Sequence, residues 1–329
     1  MIKNYISANN DTKENLLFNI SNTLTMKIQK TSLKTLVFLL AIAFTCQTVN
    51  AQQKTKAKEK NQNMSFKPLD VAAIERVTGM KGIEKNGEYK ISIPQNDLDV
   101  TVDGFKIIPA MGLGSWVAFT PSKEGAMVMG DIIVTETDLK PVQQEAISQG
   151  LTISAIHNHF IRNHPNIMYM HVGGMGNTAM MAEKIKAVLN KVKELRGGDP
   201  SKGTASNGAV ANTLDTKKLD AIVGSTGEMA KGVYKYTIGR PDVHLMEHGV
   251  HITTFFGFNT WAAWQGTPEK AAVAGDFTML ENEVEPVIKA LVENGIEVVA
   301  LHNHMVHEKP RIFFYTIGVL EVQSNLQKV

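Results

Sequence analysis

The chain contains one long segment twice, and this duplication constrains its fold more than any other feature of the sequence. The tripeptide His-Asn-His occurs at His157–His159 and again at His302–His304, an offset of 145 residues (302 − 157). The offset holds without a gap over about a hundred positions. Residues of the first copy that recur at this offset include Leu69-Asp70, Tyr89-Lys90, Trp116, Gly130-Asp131, Pro141 and Gly150. The duplication predicts two structurally similar units in tandem.

Within each copy the residue pattern predicts a mixture of helices and strands. Short apolar or alternating runs predict strands at Glu88–Ile93, Ser115–Phe119, Ala126–Val134, Leu151–Ile156 and Ile167–Val172. Helices are predicted at Val71–Val77, from a cap at Thr137 or Asp138 to about Gln149, and from Thr178 to about Leu195. The pair Gly130-Asp131 predicts an interruption of the strand Ala126–Val134, and the glycines at 173, 174 and 176 predict a turn. The fold class that follows is α+β, built from two tandem repeats.

The first 51 residues have the layout of a leader. Three lysines, the first of them Lys27, precede the apolar run Leu36–Phe44, and Val49-Asn50-Ala51 supplies a small-residue cleavage site. This order is typical of a secretory signal peptide, which would place the true start at Met26. The apolar run is shorter than the about 20 residues of a membrane span. We therefore expect an exported, periplasmic or secreted protein whose mature chain has no transmembrane segment.

The single cysteine, Cys46, offers an alternative to free export. A lipoprotein would be cleaved just before such a cysteine, but Phe44 and Thr45 stand where small residues are usual, so the lipid anchor is the less favoured reading. After the leader, we expect a flexible linker at 52–63, repeat 1 at 64–195, a glycine-containing linker at 196–209, and repeat 2 at 210–329.

The charge distribution of the chain leads us to expect that it has no nucleic-acid partner. The formal net charge is +2, and lysines and arginines are dispersed apart from a run at residues 54–60. A nucleic-acid-binding protein would concentrate positive charge on one face. The expected partner is therefore an unknown small molecule or a component of the cell envelope.

The histidines of repeat 1 are the strongest chemical signal. Alternate residues of a strand project to the same face, so His157 and His159 point together, and His171 on a neighbouring strand is a third candidate ligand. Imidazole is a common ligand of divalent transition metals, zinc first among them. Asp131 and Glu136 are candidate accessory carboxylates, as are their counterparts in repeat 2.

Repeat 2 repeats part of this set. His302 and His304 match the first pair and are candidate ligands, but Thr316 stands where repeat 1 has His171, so the two sites are not chemically equal. Three arrangements stay open: two separate sites, of which the first has the fuller ligand set, one site shared across a pseudo-twofold axis with four imidazoles facing each other, or structural histidines that pin a strand end by hydrogen bonds.

A second histidine group occurs only in repeat 2. Its members are His244, His248 and His251, and the matching residues of repeat 1 are Asp99, Asp103 and Lys106. The flanking glycine and the apolar run that follows indicate strand and turn rather than helix. We expect a role in an exposed loop instead of a ligand set.

Several of these motifs together resemble a known family. Gly130-Asp131, Gly150, Ala155–His159, Pro165 and Met168–His171 resemble the LppY/LpqO family of bacterial secreted proteins and lipoproteins, as do the segments around Trp116 and Trp261. The resemblance covers both repeats. It implies export and a duplicated architecture, and because the family has no assigned activity it implies no catalytic residues.

Two functions are compatible with these observations. The first is a metal-dependent hydrolase, in which a metal-activated water attacks a small substrate. The second is a non-catalytic periplasmic protein that binds a ligand or partner in a cleft between the repeats, with structural histidines. Convergence of His157, His159 and His171 on one point would favour the first.

Overall fold

A computed structural model describes residues 66–205 and 211–322, with only the backbone described for 319–322. The predicted leader, the linker at 52–63 and Cys46 lie outside these residues. Within the described ranges, none of the helices combines the length and apolar character that a membrane span requires.

Repeat 1 forms a six-stranded antiparallel sheet, here called sheet 1. Its strands and those of a small three-stranded sheet are β1 (Ile83–Lys85), β2 (Glu88–Pro94), β3 (Thr101–Val102), β4 (Phe105–Lys106), β5 (Gly114–Ser122), β6 (Gly125–Thr135), β7 (Thr152–His157), β8 (Asn163–His164) and β9 (Ile167–Gly176). Sheet 1 has the spatial order β1-β2-β5-β6-β9-β7, and the small sheet has the order β4-β3-β8.

Repeat 2 forms sheet 2 in the same way. Its strands, including a short hairpin, are β10 (Glu228–Ala230), β11 (Val233–Gly239), β12 (Met246–Glu247), β13 (Val250–His251), β14 (Asn259–Gly266), β15 (Lys270–Leu280), β16 (Val298–His302) and β17 (Ile312–Val322). The order of sheet 2 is β10-β11-β14-β15-β17-β16, which corresponds strand for strand to sheet 1. The predicted α+β fold with two similar repeats is confirmed.

Five α-helices accompany the sheets in the described ranges. They are α1 (Val71–Thr78), α2 (Glu136–Ser148), α3 (Thr178–Leu195), α4 (Thr216–Val223) and α5 (Glu281–Glu293). Helix α2 begins earlier than predicted, because Thr135 rather than Thr137 or Asp138 is its cap. The Thr135 hydroxyl accepts from the Asp138 N–H, and the Asp138 carboxylate accepts from the Thr135 N–H, which is a capping box.

Two predictions based on glycines were wrong. Strand β6 runs through Gly130-Asp131 without a break, because Gly130 leaves room for the neighbouring strand: a Cβ there would lie 2.9 Å from the Trp116 carbonyl oxygen. The glycines at 173, 174 and 176 belong to strand β9 instead of a turn. A Cβ at Gly174 would lie 2.7 Å from Cε of Met181, so the missing side chain lets α3 pack closely on the sheet.

The two repeats pack face to face through their sheets. On its outer side, sheet 1 packs against α1–α3 in a core that includes Ile74, Val142 and Ile185. On its inner side, Ala118 and Met129 of sheet 1 share a core with Phe314 and other apolar residues of repeat 2. The inner face of sheet 2 packs in the same way on repeat 1. Residues that point inward from either sheet therefore meet at one shared interface.

Equivalent contacts across this interface show its pseudo-twofold symmetry. A Cβ at Gly112 would lie 3.1 Å from the indole of Trp261, and a Cβ at Gly257, its counterpart, 3.0 Å from the indole of Trp116. Both glycines have positive φ, 108° and 128°. Each repeat thus contributes a tryptophan that rests on a glycine of the other.

Candidate metal centre

The register of sheet 1 brings its polar residues into one row. Trp116 pairs with Asp131, Asp131 with His171, and His171 with Ala155. Directly opposed residues on neighbouring strands share a face. Asp131 and His171 therefore both point into the interface between the sheets, and Ala155 takes up little space beside them.

The His-Asn-His of repeat 1 follows at the end of this row. His157 is the last residue of β7, and His159 lies two residues beyond it. The Nε2 atoms of His157, His159 and His171 lie 3.9, 3.7 and 3.9 Å from carboxylate oxygens of Asp131. The structure thus brings these three imidazoles together around one carboxylate.

Repeat 2 builds a similar but smaller set around Asp276. Nε2 of His302 lies 3.7 Å from Oδ2 of Asp276, and Nε2 of His304 makes a hydrogen bond of 3.1 Å to the same oxygen. Thr316 occupies the position of His171. Its hydroxyl donates to the Asn158 carbonyl of repeat 1 at 2.6 Å, so it serves the packing of the two repeats.

The two sets meet at the pseudo-twofold axis and form a single histidine cluster. The rings of His157 and His302 stack with centroids 3.6 Å apart and planes inclined by 8°. The rings of His171 and His304 approach to 4.1 Å. Of the arrangements left open by the sequence, the shared one is observed. The members of the histidine cluster are Asp131, His157, His159, His171, Asp276, His302 and His304.

The histidine cluster is buried, and most of its nitrogen atoms make no hydrogen bond. The seven side chains are 1–7 % exposed. Neither ring nitrogen of His157, His159, His171 or His302 has a hydrogen-bond partner. Buried polar groups are otherwise nearly always hydrogen-bonded. Histidines that pinned a strand end would show such bonds, so the purely structural reading fits these four poorly, whereas bonds to a metal ion would satisfy them.

Burial favours the neutral form of four imidazoles of the cluster. Burial, reinforced by the neighbouring histidines, lowers the pKa of His157 and His171 well below the ordinary value. For His302 and His304 burial lowers the pKa to about 3. Neutral imidazole is the form that binds metal ions. Burial also raises the pKa of the Asp276 carboxyl.

The ligand atoms are close enough to share metal ions. They form three overlapping sets in which all atoms lie within 4.8 Å of one another: Asp131 with His157 and His159, Asp276 with His302 and His304, and His157 with His171 and His302. Two ligands bound to one zinc ion at about 2.1 Å are at most about 4.2 Å apart. Small side-chain rotations would therefore suffice to bind an ion.

Indole rings and lysines surround the histidine cluster on both sides. Trp116 meets His171 edge-on at 6.4 Å, and Trp261 stacks on His159 at 5.7 Å. Nζ of Lys90 lies 3.9 Å from the centre of the Trp116 ring. In repeat 2 the equivalent lysine lies 4.3 Å from the centre of the Trp261 ring. Burial, followed by the charge of that lysine, lowers the pKa of Lys90 to about 8.

The two lysines were not singled out by the sequence reasoning, although the repeat offset would have revealed them. Tyr89-Lys90 recurs as Tyr234-Lys235, among the repeated residues. The tryptophans, which recur at the same offset, pack in the interface and also contact the imidazoles.

Glu136 is separated from the histidine cluster. It is the first residue of α2, is exposed, and accepts a hydrogen bond from Asn166 at 2.8 Å. It follows Asp131 by five positions, just after the end of strand β6, a distance of about 17 Å. Its counterpart Glu281 is likewise the exposed first residue of α5. Of the candidate carboxylates, only Asp131 and Asp276 reach the cluster.

The second histidine group also lies outside the cluster. His244 and His248 are exposed, as expected, but His251 is buried and its ring stacks on His244 at 4.7 Å. The expectation of an exposed loop is therefore wrong for His251, because β13 carries it inward.

A surface pocket adjoins the centre. It has a volume of about 380 Å³ and lies where the edge strands β7 and β16 approach each other. Its lining includes His302 and Ala155 beside apolar and uncharged side chains. Ile156 and Leu301, at equivalent positions of the two repeats, are 41 % and 48 % exposed there.

Comparison with known proteins gives one family. A family model described as Domain of Unknown Function (DUF1259) matches residues 72–191 and again 217–327, one match in each repeat. Neither the curated proteins nor the solved structures contain a match to the chain.

Proposed function

We propose a function from the histidine cluster itself, because the chain belongs to the Domain of Unknown Function (DUF1259) family, whose description names no activity. The protein is an exported protein with a divalent-metal centre and acts as a metal-dependent hydrolase on a small substrate. The observation that carries the proposal is the buried convergence of five imidazoles and two carboxylates whose ring nitrogens mostly lack hydrogen-bond partners.

Zinc is the metal that suits these ligands best. The cluster offers nitrogen and oxygen ligands only, and its sets of two imidazoles and a carboxylate are of the kind that bind zinc in hydrolases. Other first-row divalent metals favour the same donors. The identity of the ion is therefore part of the test.

The hydrolytic role follows from what such a centre does to water. A divalent ion held there would lower the pKa of a coordinated water to about 7 and so would supply a nucleophile at neutral pH. Asp131 and Asp276 lie beside the imidazoles, and whichever oxygen is not bound to an ion can accept a proton from that water. The pocket beside His302 offers a route for a substrate, and its lining suits an uncharged one.

Export is supported by the sequence alone. The lysines before Leu36–Phe44 and the small residues ending at Ala51 have the layout of a signal peptide. The resemblance to the LppY/LpqO proteins points the same way. N-terminal sequencing of the mature protein should give a start near Gln52, and a start at Met26 in mature protein would contradict export by this signal.

A non-catalytic metal centre is the second candidate, and the burial of the cluster favours it. All seven side chains are at most 7 % exposed, and the cluster joins the two repeats. An ion in that position would stabilise the pairing of the repeats, as structural zinc does in other folds. The envelope ligand or partner would then bind elsewhere on the surface.

Metal analysis of protein purified without an affinity tag tests the proposal. We expect at least one equivalent of zinc or a similar divalent metal, and a melting temperature that falls on chelation and recovers with added zinc. His157→Ala, which removes a member of two of the three ligand sets, should bind less metal than the natural chain. His164→Ala, which removes an exposed imidazole of repeat 1, is the matched control and should retain it.

The two candidates differ in the exchange and reactivity of the metal. A hydrolase centre should turn over uncharged ester or amide probes, and D131N or D276N should abolish turnover. A structural centre should show slow metal exchange and no turnover with any probe. Purified protein that contains no metal, and whose melting temperature does not change with added zinc, would contradict both candidates.

A further inference from the structure

Two exposed histidines of repeat 2 meet at the surface, outside the histidine cluster. They are His248 and His307, here called the surface pair. Their ring centroids lie 4.9 Å apart and their planes are inclined by 59°. The two residues are 59 positions apart in the chain (307 − 248), so only the tertiary structure brings them together. The surface pair shares no residue with the histidine cluster, so its chemistry is independent of the proposed function.

Backbone contacts fix the position of both residues. His248 is the first residue of a two-residue turn that joins β12 to β13, and its φ of 48° is one that histidine adopts more readily than most residues. On the other side, the backbone of Lys309 exchanges two hydrogen bonds with Met246, of 2.8 and 2.9 Å. The Glu247 carboxylate accepts a further bond from the backbone N–H of His307. The two imidazoles are therefore carried by segments that are joined to each other.

Repeat 1 shows that side chains at these two positions reach each other. The residues at the offset of 145 are Asp103 and Arg162, which form an ion pair of 3.0 Å between Oδ2 and Nε. Repeat 2 keeps the meeting point and replaces both charged residues by imidazoles. Two imidazoles offer each other no comparable attraction, whereas a metal ion attracts both. The replacement thus exchanges an ion pair for two metal ligands.

The spacing of the rings fits a shared ion. A His–metal bond of about 2.1 Å places the ion about 3.2 Å from the ring centre, so two imidazoles at a ligand angle of about 90–110° have centroids about 4.5–5.2 Å apart. The 4.9 Å of the surface pair falls within this range. So do the 5.0 Å between His157 and His159 and the 5.2 Å between His302 and His304. Because the surface rings are exposed, rotation about their side-chain bonds can aim both lone pairs at one ion.

We propose that the surface pair is a second metal site, which binds one divalent first-row transition ion through two imidazoles and exchanges it with the solution. Imidazole suits copper, nickel and zinc, and of these Cu²⁺ binds tightest. The groups of three or more ligands in the described residues all lie in the histidine cluster, so the surface pair supplies two ligands. Water or a small chelator completes the coordination.

Soluble Ni²⁺-nitrilotriacetate is the probe that tests the site, since this chelator leaves two free positions on the ion, which match two imidazoles. The ten histidines of the chain all lie in the described residues. Those of the histidine cluster are at most 7 % exposed, too little for a chelated ion to reach. Titration calorimetry of the untagged full chain should therefore show one equivalent of the complex bound per chain.

Variants of exposed histidines separate a bidentate site from single imidazoles. H248A and H307A should each weaken binding at least about tenfold, because the second imidazole binds intramolecularly once the first is bound. H248D/H307R, which installs the ion pair of repeat 1, should weaken it at least as much. H164A and H244A remove the other two exposed imidazoles and are the matched controls, which should keep the natural affinity. Circular dichroism verifies that each variant is folded.

Two results would overturn the surface pair as a site. The first is a natural chain that does not bind the complex. The second is a set of similar small losses in H248A, H307A, H164A and H244A, which would indicate independent surface imidazoles. Metal content separates this inference from the proposed function: H248D/H307R should retain the metal of the histidine cluster, and a chain without metal in the cluster should still bind the nickel complex at the surface pair.

Discussion

The residues that build the histidine cluster recur in both repeats apart from Thr316 in place of His171, whereas the outer faces of the two sheets differ. On the inner face the same residue types recur at the same offset in both sheets. These residues are Lys90 and Lys235, Trp116 and Trp261, Asp131 and Asp276, and the two His-Asn-His segments. The inner faces of both sheets line one histidine cluster, so a substitution in one repeat alters the surroundings of the cluster residues of the other repeat.

The outer faces have no such constraint. In repeat 1, α3 covers the sheet and buries seven of its residues, Ile185 among them. No described helix follows β17 in repeat 2, where α4 buries none of its residues and α5 only Leu291. The outer face of sheet 1 is therefore covered by more buried helical side chains than the outer face of sheet 2.

The strand pair β3–β4 of repeat 1 and the equivalent hairpin β12–β13 of repeat 2 differ in charge as well. In repeat 1 two ion pairs hold this region, Asp99–Lys106 at 2.8 Å and Asp103–Arg162 at 3.0 Å. Repeat 2 has two histidine pairs at the same positions. They are His244–His251, with ring centroids 4.7 Å apart, and His248–His307, 4.9 Å apart. Attraction between opposite charges has been replaced by ring contact.

A further replacement lies between these pairs. Val102 and Asn163, which are opposed across β3 and β8, correspond to Glu247 and Glu308 in repeat 2. Burial, and then the charge of Glu308, raises the pKa of Glu247 to about 7. Opposed like charges destabilise a strand pair. The stability of the repeat 2 hairpin should therefore depend on protonation.

The largest expected effect concerns the histidine cluster in acid. His302 and His304 have pKa values of about 3 when folded and about 6.5 when unfolded, so the unfolded chain binds more protons below pH 6.5. The metal-free protein should therefore lose about 1.4 kcal/mol of unfolding free energy per pH unit for each such histidine as the pH falls from about 6.5. Urea titrations with chelator at pH 7, 6 and 5 measure this slope.

His171 sharpens this prediction because repeat 2 lacks it. Its pKa is also lowered by burial, so H171T should reduce the slope by about 1.4 kcal/mol per pH unit. His164→Ala removes an exposed imidazole and should leave the slope unchanged. Equal slopes for the natural chain and H171T would show that His171 takes up a proton as readily in the folded protein as in the unfolded chain.

The next effect concerns Glu247 and has the opposite sign. Its folded pKa of about 7 exceeds the unfolded value of about 4.3, so its contribution to stability is present in acid and is lost as the pH rises through 7. Replacement by valine, the repeat 1 residue, should therefore stabilise the protein by about 2–3 kcal/mol more at pH 8 than at pH 5. Urea titrations at both pH values measure the difference.

Glu247→Gln separates charge from packing in that experiment, since it keeps the size and removes the ionisation. It should show the same dependence on pH as E247V. Glu281→Gln, at an exposed glutamate of α5, is the control and should show none. A difference between E247V and the natural chain that is constant from pH 5 to pH 8 would mean that Glu247 ionises normally.

The smallest effect compares equivalent core positions in α2 and α5. Val142 is fully buried, whereas Val287, its counterpart, is only half-buried. Truncation to alanine should cost about 2 kcal/mol at Val142 and less than about 1 kcal/mol at Val287. Helix propensity changes equally in both, so the difference in unfolding free energy from urea titration reports burial. Equal costs would indicate that the outer face of sheet 2 is covered in solution.

Much of the local structure was predictable from the sequence. The helix from Thr178 to Leu195 and the strand beginning at Ile167 were predicted with correct starts, because apolar periodicity and caps are local signals. Glycines were misread, because Gly130 and Gly174 respond to a neighbouring strand and a helix that are distant in sequence. A glycine required by packing looks the same in sequence as one required by a turn.

The sequence by itself determined the duplication, the fold class and the residue types available to a site, because each follows from spacing and side-chain period. Only the tertiary structure decided that both His-Asn-His segments belong to one cluster, that Asp131 and Asp276 join it and that Glu136 does not. Those choices depend on how two sheets pack across a pseudo-twofold axis, and the distance between residues in different repeats is not encoded in either repeat alone.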